Sequence, residues 1–165
     1  MPEWKRSTKE VSLESLPSEL ASAIQQHIER YNLGPVLSDA LMCIQTDSEK
    51  TKKGLFGGAQ TVQMFAVITP RWIVWTVIQP TLAPALSARR SAGEPTVLSA
   101  QLIHVTVQDY AQTPFVKMVP DSGLQVSGMF TDASESASAF IGLDGGVAGQ
   151  KFRDAVIKAA AAAKK

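Results

Sequence analysis

A chain of 165 residues, 45% hydrophobic and 19% charged, has the composition of a globular protein and not of a disordered or fibrous one. That length suits one ordinary domain able to bury about two-thirds of its unfolded surface. With 16 basic and 15 acidic side chains the formal net charge is +1, so no overall field draws the chain to nucleic acid or an anionic surface.

The N-terminal stretch MPEWKRSTKEVSLES is polar and carries no apolar segment of the kind that opens a secretory signal. Residues 1–14 therefore read as a flexible N-terminus, and the cytoplasm is the expected location. Leu13, Leu16, Leu20, Ile24, Ile28 and Tyr31 then recur at three- and four-residue steps, the spacing of one helical face. Ser15 with Pro17 suits a helix start, and the glycine and proline of Asn32-Leu-Gly-Pro35 suit a stop, so a helix is expected within residues 15–34. Residues 36–47 read as a strand. Their single cysteine, Cys43, lies between Met42 and Ile44, has no cysteine partner and reads as a core thiol.

The segment QMFAVITPRWIVWTVI, Gln63 to Ile78, is the most apolar of the chain, yet Thr-Pro-Arg interrupts it. A membrane helix needs about 20 predominantly apolar residues, and central proline and arginine disrupt or tax one. Each half has the length and the Val, Ile, Phe and Trp content of a strand, so the segment reads as a β-hairpin. Trp72, Val74 and Thr76 fall on one face of its second strand, and Ile73, Trp75 and Val77 on the other. Both faces are largely apolar, so something must cover each of them.

Residues 80–96, with three prolines and no period, read as a long loop. Further strands are expected over residues 97–110, 115–119, 124–131 and 137–143, with Pro120-Asp-Ser-Gly123 as a turn. Residues 147–163 return to helix, with Phe152 and Val156 on one face and an alanine run of high helix propensity. Strands in succession without intervening helices imply a mainly β, antiparallel sandwich or barrel closed by the terminal helix.

The stretches FAVITPRWIVWTV (Phe65 to Val77), LSAQLIHVTV (Leu98 to Val107), GLQVSGMF (Gly123 to Phe130) and the helix entry FIGLDGGVAGQKFRDAVIKAA give residues 36–163 a pattern that resembles the bacterial pleckstrin-homology-like domains. The resemblance implies a strongly bent seven-stranded sheet capped at one corner by the C-terminal helix. It makes residues 36–165 the domain and the first helix an addition, which either covers the hairpin or pairs with another subunit. It also draws attention to the loop SEKTKKGLFGG, because phosphoinositide-binding pleckstrin-homology domains place basic residues in their first hairpin loop. Lys50, Lys52 and Lys53 could receive an anionic headgroup there, with Leu55 and Phe56 entering a membrane interface. The next strand, however, offers Gln60 and Gln63 where further basic residues belong.

No catalytic, metal or cofactor constellation is visible. His27 lies beside the helical stripe and His104 inside an expected strand, neither next to a nucleophile motif. Asp144-Gly-Gly-Val-Ala-Gly149-Gln-Lys151 departs from the phosphate-loop pattern at its end, so Asp144 reads as a residue of the helix cap region. Phe65, Trp72, Trp75, Phe115 and Phe130 lack interleaved lysine or arginine, which argues against a nucleic-acid interface. The expectation is a non-enzymatic binding or scaffold module without cofactors. Its working surface would be Leu20, Ile24, Ile28, Trp72 and Trp75, engaging a protein or a second copy. Anionic-lipid binding through the 48–58 loop is the alternative.

Overall fold

A computed structural model describes residues 4–50, 61–78, 96–131 and 133–165. Its strands are β1 (Trp4–Glu10), β2 (Met42–Lys50), β3 (Thr61–Ile68), β4 (Trp72–Ile78), β5 (Thr96–Gln101), β6 (Val105–Asp109), β7 (Gly123–Gly128) and β8 (Ala137–Gly142). Helix α1 (Ser18–Tyr31) joins β1 to β2, and α2 (Val147–Ala163) closes the chain. The strands form two antiparallel meanders, a five-stranded sheet in the order β1-β2-β3-β4-β5 and a three-stranded sheet in the order β6-β7-β8. No described helix is long and apolar enough to cross a membrane.

The interrupted apolar segment is a hairpin, with Ile68 paired to Ile73 and Val67 to Val74. Thr69 makes the turn: its hydroxyl accepts the Trp72 N–H at 2.8 Å, and its own N–H donates to the Trp72 carbonyl at 2.9 Å. Alternation sends the two faces of this hairpin into two different cores. Ala66, Ile68, Ile73 and Trp75 face the inner core, where the second sheet contributes Leu124, Val126 and Ile141 and α2 contributes Phe152 and Val156. Phe65, Val67 and Val74 face an outer core built by Leu20, Ile24 and Ile28 of α1 with Leu33 and Val36. The helix thus shelters the face that the second sheet cannot reach.

Several elements differ from the sequence-based expectation. Residues 4–10, expected to be flexible, form β1, which pairs with β2 from Trp4–Lys50 to Glu10–Ile44. This strand is held by polar contacts: Arg6 grips Asp121 with Nε at 2.8 Å and Nη2 at 2.7 Å, and its guanidinium lies 5.2 Å from the Phe140 ring centre. Gly142 leaves room for that guanidinium, since a Cβ there would run into it. The strand expected at 36–47 begins only at Met42, after turns in which Asp39 donates to the Pro35 carbonyl. Asn32, and not Gly34, ends α1 in the left-handed region at φ 54°, a conformation asparagine tolerates.

The strand expected over 97–110 is two strands. One turn of 3-10 helix at Leu102–His104 lets the chain leave the first sheet and enter the second. Leu102 is buried at this crossing and its N–H donates to the Arg71 carbonyl at 2.9 Å. Gly128, at φ 142°, passes so close to the His104 carbonyl that a side chain would collide with it. Residues 115–119 are not a strand either. Pro114 opens a 3-10 turn there, where its missing N–H is no loss, and Phe115, Met118 and Val119 point to solvent. Eight described strands in two sheets therefore replace the expected seven. The 80–96 loop lies outside the described residues except for Thr96, which opens β5.

Asp144 acts at the entry to α2, as its place in the sequence suggested. Its carboxylate accepts the N–H of Gly146 at 2.9 Å and that of Thr8 at 2.9 Å, which ties the helix start to β1. Cys43 is buried, and burial, reinforced by the Glu10 carboxylate, pushes its thiol up to about 11, so it stays protonated and unreactive at neutral pH.

Candidate functional site

The structure separates the residues expected to form a partner surface. Leu20, Ile24, Ile28 and Trp75 are only 6%, 1%, 7% and 1% exposed, because α1 lies on the sheet of its own chain and Trp75 faces the inner core. They are not an open surface. Lys50 is the last residue of β2, paired with Trp4. Lys52, Lys53, Leu55 and Phe56 lie outside the described residues.

Trp72 alone of that set stays half-buried at the surface, and a candidate site forms around it. Five segments converge there: the β3–β4 turn, the end of β5, the 3-10 crossing, the segment after β7, and the link from α1 to β2. Trp72 and Gln101 stand between two clefts. One, of about 450 Å³, is completed by His104, Met129, Phe130 and Thr131, and its floor is apolar. The other, of about 550 Å³, is more polar and takes in Asn32, Asp39, Thr69 and Arg71. Both volumes lie in the range of ordinary ligand pockets, about 300–1,000 Å³.

The scaffold behind these clefts is braced. Phe130 meets Trp75 edge to face, with ring centres 5.3 Å apart, so the floor of the apolar cleft continues into the inner core. Thr131 donates its N–H to the Ser99 carbonyl at 2.9 Å, and Ser99 donates its hydroxyl to Thr131 Oγ1 at 2.7 Å. That direction leaves the Ser99 oxygen to accept from Nε2 of His27, 2.8 Å away. His27 is therefore a donor and not a base toward Ser99, which is itself only 1% exposed. The chain of bonds pins α1 to β5 and to the segment bearing Phe130.

Burial, and secondarily the Arg30 charge, hold His27 below its ordinary value of 6.5. The unfolded chain consequently takes up a proton first as pH falls. Stability attributable to His27 is complete above about 6.5 and declines below it, toward the lower folded value. Thermal unfolding followed between pH 7.5 and 5 should show a falling Tm, and His27→Gln, which keeps a donor for Ser99, should reduce the fall.

In contrast to this braced scaffold, four polar side chains at the clefts are without a partner among the described residues. The Arg71 guanidinium, the Trp72 indole N–H, the Gln101 amide and the His104 imidazole make no hydrogen bond or ion pair with another described residue. Apolar side chains of the converging segments are also open to water: Leu41 is 57% and Ile103 58% exposed, with Leu37 and Met129 less so. Of this site the sequence offered Trp72 and the Thr-Pro-Arg turn. Gln101 faces Trp72 directly across the β4–β5 ladder, a long-range pairing that the residues themselves do not display. His104 was concealed inside what reads as one continuous strand, because nothing in the alternation of residues 97–110 marks the 3-10 crossing that places it at the apolar cleft.

No protein-family model matches the chain, and no curated protein or solved structure matches it.

Proposed function

We propose that the protein is a non-enzymatic binding module of pleckstrin-homology-like fold that engages a protein partner through the Trp72 end of the molecule. The fold half of this reading is supported by element order. Counted from β2, seven antiparallel strands precede a closing helix, the number and order that the sequence resemblance implies, with β1 and α1 as additions and the strands divided between two sheets. The functional half is carried by one observation: hydrogen-bonding groups without a partner among the described residues surround a half-buried tryptophan shared by two clefts, one of them with an apolar lining. Tryptophan and arginine set among apolar contacts are the residues in which binding energy concentrates at protein interfaces.

Replacing Ile103, the exposed chain neighbour of His104, by photoreactive benzoylphenylalanine tests the reading in cells that express the protein. Cross-links to a defined polypeptide are expected from position 103, lost with Trp72→Ala and absent when the probe replaces Gln26 on the outer side of α1. Equal labelling from positions 103 and 26, or labelling unaffected by Trp72→Ala, would contradict it.

A further inference from the structure

The polar groups of the site narrow the chemistry of what it takes. Arg71 has only donors, the Trp72 indole has one, and the Gln101 amide supplies two donors and an acceptor. Donors thus prevail between the two clefts, which selects an acceptor-rich ligand. Gln101 sits at the saddle, half-buried, and its side-chain amide has the same donor and acceptor pair as a peptide group. An extended peptide can exchange an N–H···O and an O···H–N bond with it, whereas a hydrocarbon ligand would leave both groups unpaired. Beyond the saddle the clefts differ: Trp72, Met129 and Phe130 make one apolar, while the exposed Arg71 stands in the other without an acidic neighbour bonded to it. Asp39 and Asn32 line the same polar cleft, so an acidic group is favoured only toward Arg71.

Resting on the reading of this end as a protein-binding surface, we propose that its ligand is an extended peptide segment with a bulky apolar side chain next to a carboxylate. The peptide crosses Trp72 and pairs one of its peptide groups with Gln101. Its apolar side chain enters the Met129 and Phe130 cleft, and its carboxylate meets the Arg71 guanidinium, whose fork fits a carboxylate with two parallel bonds. Opposite charge at Arg71 sets which segments bind, and the apolar cleft supplies contact area.

Selection of a random peptide library displayed on phage against the full chain, followed by titration of a selected synthetic peptide into the 15N-labelled protein, tests this. The expected peptides share an apolar residue beside Asp or Glu, and shift the resonances of the Gln101 side-chain amide and the Trp72 indole. Converting that acid to its amide, or introducing Arg71→Glu, should each weaken binding about tenfold or more, the scale of one charge-assisted hydrogen bond. Amidated and free-acid forms of the same peptide distinguish a side-chain carboxylate from a chain terminus. Peptides that shift Trp72 yet lack an acidic group and ignore Arg71→Glu would overturn the proposed ligand while leaving the binding surface in place. Peptides that shift neither Trp72 nor Gln101, or a library that yields no binder, would overturn both.

Discussion

Trp75→Ala should lower the unfolding free energy by about 3–5 kcal/mol, the range for truncating a large buried aromatic side chain. Trp75 is 1% exposed and sits at the centre of β4, paired with Ala66 of β3 on one side and Leu98 of β5 on the other. The small Ala66 gives the indole its room, and Phe130 meets it edge to face from the segment after β7. Truncation opens a cavity in the inner core beside Phe130, the floor of the apolar cleft. Urea denaturation reads the effect as a lower midpoint at unchanged slope. A loss under about 1 kcal/mol, the size of an ordinary surface change, would mean that the indole does not fill the inner core.

Arg153→Ala should cost about 2–4 kcal/mol, for a different reason: it leaves buried acceptors without their donor, at about 1–3 kcal/mol for a stranded group. Arg153 is 4% exposed in α2. Its Nη1 donates to the Asp144 carbonyl at 2.6 Å, its Nη2 to the Ser122 hydroxyl and to the Leu143 carbonyl at 3.3 Å, and its Nε stands 3.7 Å from Asp109. One guanidinium thus joins α2 to the end of β6, to the start of β7 and to the segment after β8. Arg153→Lys should rescue little, because a single ammonium cannot span acceptors arranged for a planar fork. Equal midpoints for Arg153→Lys and the parent chain in the same denaturation experiment would refute the fork's role.

What could be read from the residues follows the kind of force that holds each element. Both helices and the central hairpin were legible because apolar burial shapes them: the α1 stripe, the Phe152 and Val156 face of α2, and the doubly apolar β4 carry their periods openly. β1 was not. Its sequence WKRSTKE has no apolar alternation, and its inward side is fixed by Arg6 on Asp121 and Thr8 on Asp144, contacts 115 and 136 residues away in sequence. The same gap hid half of the candidate site. Trp72 announced itself as an aromatic on an apolar strand, whereas Gln101 acquires meaning only through its pairing with Trp72 across the β4–β5 ladder, and His104 only through a single helical turn that alternation does not encode. Pro114 was a visible warning against a strand at 115–119, since it suits the first position of the 3-10 turn found there.

The placement of α1 decides most of this. If the helix covers β3 and β4 of its own chain, Leu20, Ile24 and Ile28 are core, and the proposed partner surface is the Trp72 end and not the α1 stripe. Amide hydrogen exchange measured across a wide range of protein concentrations tests that directly. Slow exchange at Ile24 and Ile28, matching that of Val67 and Val74 and unchanged on dilution, is the expected result. Protection of α1 that disappears on dilution while β3 and β4 stay protected would place the helix on a second copy and contradict the docking on which the site depends.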